Sequence, residues 1–313
     1  MNKTIYQIYD KIFKKILTLS STAVINLING LFGTDYPLNS IITYNWTEFE
    51  DKELKKILAD TILTINGKYS YHLEAQMTED KDIVFRVFEY GFGHASRNIT
   101  EEDGKHILPF PEAKVIFLYS EKKAPDEYAL TLDFGTQGRF NYRVPTFKFQ
   151  EVEIEELNRR KMVILIPFAL LKLREIMKEE RSEENLEALK KLIQDDIIGS
   201  INDNLKLGNI TVDDARRLRR LTYRLYEHIY AHYEEMEELN DMTDESLMLD
   251  IDIIEKEHEK EIARVKKEVT EKVTAKVTED VTRQISNQKD KEICRLKEEI
   301  EQLKKLINMQ NNE

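Results

Sequence analysis

A β-hairpin signal near residue 66 constrains the fold more than any other feature of this sequence. Asn66-Gly67 is typical of a two-residue type I′ turn, because that turn needs positive φ at both central residues. Apolar and polar residues alternate over Leu58–Ile65 and again over Tyr69–Met77, which predicts two half-buried strands around the turn. A helix over Lys81–Arg97 is expected to follow them.

The two predicted strands carry two carboxylates. Glu74 and Gln76 are two residues apart, so their side chains leave the same face of the second strand. With the turn at Asn66-Gly67, Asp60 on the first strand pairs near Tyr71 to Glu74, give or take a register step. Asp60 and Glu74 can then converge on one cation, and such oxygen ligands suit Mg²⁺. Acidic residues are also common on solvated sheet faces, so an ordinary hairpin remains open on the spacing alone.

The flanking segments predict an ordered series of helices and strands. Apolar spacing favours one long helix, or two joined at Ser20-Ser21-Thr22, over Tyr6–Phe32, with Gly33 ending it. A strand over Ile41–Glu48 precedes the hairpin. After the helix at Lys81–Arg97, further strands are expected over Lys114–Ser120, Ala129–Phe134, Tyr142–Phe149 and, as a short apolar run, Met162–Pro167.

This helix–strand–hairpin–helix–strand order resembles the core of the PD-(D/E)XK nuclease superfamily. Within it, the chain is most similar to the PD-(D/E)XK nuclease family transposases, or recombination-promoting (Rpn) nucleases. The segments that carry the resemblance are Tyr9-Asp10-Lys11-Ile12-Phe13-Lys14, Ala59-Asp60, Leu73-Glu74-Ala75-Gln76 and Phe85-Arg86-Val87-Phe88-Glu89-Tyr90. The resemblance covers roughly residues 1–240. It implies an α/β fold with a restriction-endonuclease-like core, in which a central mixed sheet is flanked by helices.

The resemblance also implies a catalytic set. Asp60 and Glu74 would hold Mg²⁺ or Mn²⁺, and Gln76 would orient the attacking water. The superfamily usually has Lys where this chain has Gln76, as is frequent in this branch. A lysine can place a positive charge beside the water or the phosphate, whereas glutamine only donates and accepts hydrogen bonds. The departure leaves open whether another cation takes that role or activity is reduced.

Four further residues are implied as supporting ones. Asp10 would contact the ion through water, and Lys14 is a weaker candidate for a phosphate contact. Arg86 and Tyr90, four residues apart on one helix face, would hold the scissile phosphate or buttress the carboxylates. Two of the four also have an ordinary explanation: Asp10 lies among lysines on a helix, and Arg86 has acidic neighbours with which it can pair.

Composition restricts the class of protein. The single cysteine, Cys294, excludes an internal disulfide or a cysteine-rich zinc site. No apolar run approaches the ~20 residues of a membrane span, and the amphipathic N-terminus lacks a signal peptide, so a cytoplasmic protein is expected. Residues 251–313 carry 15 acids and 14 bases, which leaves most of the net charge of −12 in the first 250. Because the first 250 residues carry this net negative charge, we do not expect them to bind DNA by charge alone.

The second half of the chain is expected to be helical. Within it, Thr211 and Asp214 predict a capped helix start, and this helix carries the most basic patch of the acidic body. The patch offers a weak DNA-binding site through Arg216, Arg217 and Arg220. The alternative is a solvated face on which these arginines pair with nearby acids.

From residue 255 the sequence has no Pro or Gly and many charges. Valines recur every four residues from Val265. From Ile293, successive apolar residues are separated by 3, 4 and 3 positions, which suits a short coiled coil. We expect one extended helix that associates with a copy of itself, against the alternative of a lone solvated helix. The expected domains are 1–167 (nuclease-like), 168–240 (helical), 241–254 (acidic linker) and 255–313 (coiled-coil tail).

The sequence therefore predicts a metal-dependent DNA endonuclease of the PD-(D/E)XK type, linked to DNA recombination or mobile elements. Its expected partners are DNA and a second copy of the chain, with no membrane. The alternative is a catalytically inactive nuclease fold that acts as an oligomeric interaction module. Gln76 and the acidic surface keep that alternative open.

Overall fold

The computed structural model of the chain divides into two compact units, Met1–Leu249 and Asp250–Glu313. In the first unit, the described residues form a six-stranded mixed sheet flanked by helices, which confirms the predicted α/β class. The residues that the structure describes are 3–45, 48–50, 56–58, 61–119, 124–230 and helical positions between 262 and 301.

Two helices open the chain, α1 (Lys3–Ile16) and α2 (Ser21–Phe32). Of the two alternatives that the sequence left open, two joined helices are observed: Ser20 caps α2, and its Oγ accepts a hydrogen bond from the Ala23 amide at 3.3 Å. Gly33 ends α2 with a φ of 68°. No single described helix is long and apolar enough to cross a membrane. Residues 8–16 of α1 and the helix α2 reach such a length and hydropathy only together, and the two are bent by 107° at the break between them.

The hairpin at Asn66-Gly67 forms as predicted, with φ values of 53° and 66°. It joins two antiparallel strands in a register that sets Thr61 opposite Leu73. The strands up to this point are β1 (Ile42–Asn45), β2 (Glu48–Glu50), β3 (Lys56–Leu58), β4 (Thr61–Ile65) and β5 (Tyr69–Gln76).

The predicted strand over Leu58–Ile65 differs from the observed one. β3 ends at Leu58 and β4 begins at Thr61, while Asp60 lies outside the described residues. Four of the five residues of β4 are buried. Because successive side chains point to opposite faces, both faces of this strand are covered, and it is not the half-buried strand that the alternation predicted.

Helix α3 (Ile83–Arg97) crosses from β5 towards its parallel neighbour in the sheet. A small hairpin, β6 (Thr100–Glu102) and β7 (Lys105–Ile107), precedes β8 (Glu112–Phe117). The sheet is completed by β9 (Glu127–Asp133) and β10 (Arg139–Lys148). The strand order is β1-β4-β5-β8-β10-β9; the β5–β8 and β8–β10 pairs are parallel and the others antiparallel.

The apolar run after β10 is helical. Following α4 (Ile154–Arg159), a 3₁₀ helix spans Val163–Leu173 and leads into α5 (Arg174–Glu179). The strand predicted over Met162–Pro167 is therefore wrong. Every residue of the 3₁₀ helix up to Leu171 is buried, and a helix covered on all sides has the same continuous apolar pattern as a buried strand.

The remaining helices of the first unit are α6 (Glu183–Lys191), a π-helical turn (Leu192–Ile198), α7 (Gly199–Lys206) and α8 (Val212–Tyr230). The predicted cap of α8 is present: the Asp214 carboxylate accepts from the Thr211 amide at 2.9 Å, and Thr211 Oγ1 accepts from the Asp214 amide at 3.2 Å. The same buried carboxylate accepts from the Ser20 amide at 2.8 Å. It therefore joins the start of α2 to the start of α8.

In the second unit, the described positions between 262 and 301 are helical, as expected for the tail. The apolar residues described there are about half exposed on this single chain. Thr270, Thr278 and Thr282 donate their hydroxyls to carbonyls one turn earlier. The exposed apolar side chains are Ile262, Val265, Val269, Val281, Ile285, Ile293, Leu296 and Ile300.

Candidate active site

One face of β5 lies against helix α3, and polar side chains line the contact. Alternate residues of β5 share this face, and residues four apart on α3 meet it. At one end, His94 Nε2 lies 3.0 Å from Ser70 Oγ. In the middle, the rings of His72 and Tyr90 are 6.0 Å apart. The candidate site is at the other end of this row.

Glu74 is the centre of the site. Its side chain is only 3% exposed, although a buried carboxylate is costly unless it is paired. Oε1 accepts hydrogen bonds from Arg86 Nη2 at 3.1 Å and from Gln76 Nε2 at 3.2 Å. Oε2 is buried and has no hydrogen-bond partner in the described part of the chain; His72 Nε2 lies 4.0 Å from it.

Arg86 connects Glu74 to a second acid. Its Nη1 donates to Asp80 Oδ2 at 2.7 Å while Nη2 binds Glu74. Burial lowers the pKa of the Arg86 guanidinium, but the charges and hydrogen bonds of Glu74 and Asp80 outweigh burial and raise the pKa above its usual value. The guanidinium is therefore a fixed positive charge that orients the Glu74 carboxylate.

The free oxygen of Glu74 fits one ligand of a hard cation. A buried oxygen without a donor needs a partner such as a metal ion, an ordered water or a proton. Among the residues described, no three His, Cys, Asp or Glu side chains are grouped to hold a metal. Asp60, the second expected ligand, lies outside the described residues. Mg²⁺ commonly takes only one or two protein carboxylates and keeps several waters, so the donor set of Glu74 is compatible with it.

The structure brings three of the predicted residues together: Glu74, Gln76 and Arg86. Tyr90 lies one helical turn beyond Arg86, is buried and packs with Ile62. Asp10 and Lys14 form an ion pair with each other at 3.0 Å on α1.

The arginines proposed for a DNA contact lie on α8. Arg217 is already engaged: its Nη1 donates to the Thr18 carbonyl at 2.9 Å and its Nη2 to Thr18 Oγ1 at 2.7 Å. Arg220 is exposed and Arg216 is half-buried. Arg217 therefore ties α8 to the segment between α1 and α2.

Sequence reasoning missed Asp80 as a member of the site. Asp80 lies just before α3, where it also accepts a hydrogen bond from the Asp82 amide at 2.9 Å. The available signal was an acid six residues before an arginine, which is too general to select.

No protein-family model matches this sequence, and no match to it was found among the curated proteins or the solved structures that were searched. A function is therefore inferred from the site geometry and from the chemistry of its residues.

Proposed function

We propose that this protein is a metal-dependent endonuclease that hydrolyses phosphodiester bonds in DNA, and that its catalytic centre is built on Glu74. The observation that carries the proposal is a buried carboxylate whose Oε1 is held by Arg86 and Gln76 and whose Oε2 is buried without a hydrogen-bond partner among the described residues. The element order around it, two helices, an antiparallel hairpin, a helix and a parallel strand, supports a PD-(D/E)XK core.

In this proposal Glu74 and Asp60 hold Mg²⁺ or Mn²⁺. When bound, the ion supplies a Lewis acid that activates water and offsets charge on the phosphate. Asp60 immediately precedes Thr61, which pairs with Leu73, the neighbour of Glu74. Asp10, which pairs with Lys14 on α1, remains a candidate for a water-mediated contact.

The other residues of the site orient Glu74 and donate hydrogen bonds to it. Arg86, anchored by Asp80, keeps Oε1 of Glu74 occupied, so that in this proposal Oε2, which has no hydrogen-bond partner among the described residues, is the oxygen that would bind the ion. Gln76 donates through Nε2, and its amide oxygen is an acceptor that can hold the proton of a water. Tyr90 packs the helix against the strand that carries Glu74.

A non-enzymatic function is the second candidate. The observation that favours it is the hydrogen bond from Gln76 to Glu74, because the amide occupies the place where a lysine would bring a positive charge. In that case the fold and the C-terminal helix serve as an oligomeric interaction module. A buried Glu74 held by Arg86 then has only a structural role.

The test is cleavage of supercoiled plasmid by purified full-length protein in Mg²⁺, Mn²⁺ or EDTA, with single-stranded DNA and RNA as parallel substrates. Asp60→Ala and Glu74→Ala are compared with the wild type after folding has been checked by circular dichroism. Metal-dependent DNA cleavage that is lost in both variants is the expected result. A well-folded wild type without metal-dependent cleavage supports the interaction module instead.

A further inference from the structure

A cleft of about 600 Å³ lies away from the face of β5 that carries Glu74. One wall is residues 156–161 at the end of α4, the other is the loop 33–38 after α2, and α2 forms the floor. Tyr36 in that loop binds the hydroxyl of Tyr71 at 2.6 Å, and Tyr71 points to the face of β5 opposite to Glu74. The volume is within the usual range for small-ligand sites.

Three consecutive cations line one wall of this cleft, in a chain whose net charge is −12. Arg160 donates to the Gly30 carbonyl at the end of α2, which is a capping role. Arg159 is held by Glu156 through two hydrogen bonds of 2.7 and 2.6 Å. Because a guanidinium has five N–H donors, Arg159 keeps several for a ligand.

Lys161 is held in an unusual backbone conformation. Its φ is 58°, and the other two described non-glycine residues with positive φ, Asn66 and Asp103, are in tight turns before glycine. The end of α4 requires this conformation, with Met162 N donating to the Leu157 carbonyl at 2.8 Å, but glycine satisfies it without strain. The helix end therefore explains why residue 161 has a positive φ, but it does not explain why that residue is a lysine rather than a glycine.

The Lys161 side chain is exposed at the cleft. Within the described residues its ammonium makes no hydrogen bond or ion pair. Residues with strained backbone conformations cluster at active sites and ligand-binding sites, and Lys161 combines such a conformation with a charge that has no partner among the described residues. The opposite wall is different in character, with exposed Pro37 and Leu38 and the carboxylate of Asp35.

We propose that this cleft binds a small phosphate monoester of mononucleotide size. The phosphate lies against Arg159 and Lys161, since a guanidinium and an ammonium together match phosphate oxygens. The organic part lies towards Pro37 and Leu38, where Asp35 accepts a hydrogen bond from a hydroxyl or amine. The site is independent of the proposed nuclease centre.

Thermal unfolding and calorimetric titration of the full-length protein with inorganic phosphate and with a 5′-deoxymononucleotide test the proposal, at constant ionic strength set by chloride. We expect both to bind the wild type, the nucleotide more tightly. Lys161→Gly should unfold about 1–3 °C higher without ligand, because strain is relieved. It should bind both ligands about tenfold or more weakly, as expected for the loss of a charge-assisted contact.

Lys105→Ala, which removes an exposed lysine from β7, is the control and should leave both affinities unchanged. Arg159→Ala provides a second variant with the same expected loss of binding. The proposal is overturned if neither ligand binds the wild type, if the nucleotide binds more weakly than phosphate, or if Lys161→Gly and Arg159→Ala bind both ligands like the wild type.

Discussion

Arg86 is the residue on which the geometry of the site depends most. It bridges Glu74 and Asp80 at 3.1 and 2.7 Å, and its removal leaves a buried carboxylate without its cation. We expect Arg86→Ala to lower the free energy of unfolding by about 1–2 kcal/mol, below the value for a fully buried pair because the Arg86 side chain is 40% exposed. Asp80→Asn, which keeps Glu74 paired, should cost less than half as much.

Urea unfolding monitored by circular dichroism measures both variants. A double substitution of Arg86 and Glu74 by Met and Gln should recover part of the loss, because the unpaired charge is then removed as well. Equal stability of Arg86→Ala and wild type would contradict a structural contact between Arg86 and Glu74.

His94 gives the site region a pH dependence. Burial, and to a smaller extent the charge of Arg97, hold the pKa of the His94 imidazole below its usual range. The unfolded chain therefore binds a proton at a higher pH than the folded one, so stability falls as pH drops below the ordinary histidine pKa of about 6.5. We expect the free energy of unfolding to fall between pH 8 and pH 5.

In His94→Gln this fall should be smaller, because the titrating group is gone while an amide can still bind Ser70. His106→Gln, on the exposed strand β7, serves as the control and should keep the wild-type pH profile. An identical profile for His94→Gln and wild type would show that His94 does not contribute.

At the scale of elements, α2 and the segment after α4 lie close together at Gly30. A Cβ placed on Gly30 would lie 2.4 Å from Met162 Cγ and 2.8 Å from the Arg160 carbonyl, so no side chain fits. Gly30→Ala should destabilise the protein by about 1–3 kcal/mol through overpacking. Gly199→Ala is the matched control: its nearest contact is 3.7 Å, and alanine should stabilise that helix by about 0.5–1 kcal/mol.

Differential scanning calorimetry measures both variants. If this packing is correct, the melting temperature of Gly30→Ala lies below that of the wild type and that of Gly199→Ala lies above it. If Gly30→Ala were as stable as Gly199→Ala, this prediction would be contradicted, because residues 160–162 could then move to make room for the added methyl group without loss of stability.

Local signals in the sequence correctly predicted the main turn and several helix ends, because these depend on the backbone conformations and hydrogen bonds of neighbouring residues. Asn66-Gly67 fixed the main hairpin, and Ser20 and Gly33 fixed the ends of α2. The same reasoning overlooked Asp103-Gly104, whose φ values of 51° and 72° turn the β6–β7 hairpin, although an Asp-Gly pair is the same kind of signal.

Elements decided by burial were less predictable. The run at Met162–Pro167 is apolar on every side, so its sequence does not distinguish a buried strand from a buried helix. The bridge from Asp80 through Arg86 to Glu74, and the cleft between Lys161 and Asp35, join residues that only the tertiary fold brings together. Neither leaves a periodic pattern in the sequence.

On the scale of the whole molecule, the tail is the main candidate for assembly. The described positions of the second unit are helical, and apolar side chains such as Ile293, Leu296 and Ile300 are about half exposed on one chain. We propose that these side chains pack against a second copy, since their spacing of three and four residues suits a coiled-coil seam.

Sedimentation equilibrium of the full-length protein tests this assembly. The wild type should be an oligomer, and the double variant Ile293→Asp, Leu296→Asp should dissociate at the same concentration, because two charges are placed in the seam. Lys291→Glu, outside that spacing, should leave the mass unchanged. A monomeric wild type would show that the tail is a solvated helix.

The central claim is that Glu74 belongs to a catalytic metal site, and the nicking rate of Glu74→Gln tests it most directly. Full-length wild type, Glu74→Gln and the exposed control Glu89→Gln are incubated with supercoiled plasmid in Mn²⁺ and in EDTA. We expect a metal-dependent rate that Glu89→Gln keeps and that Glu74→Gln lowers on the order of 100-fold or more, since even outer partners of metal ligands cost 10–100-fold. A folded Glu74→Gln protein that nicks DNA as fast as the wild type would contradict the claim.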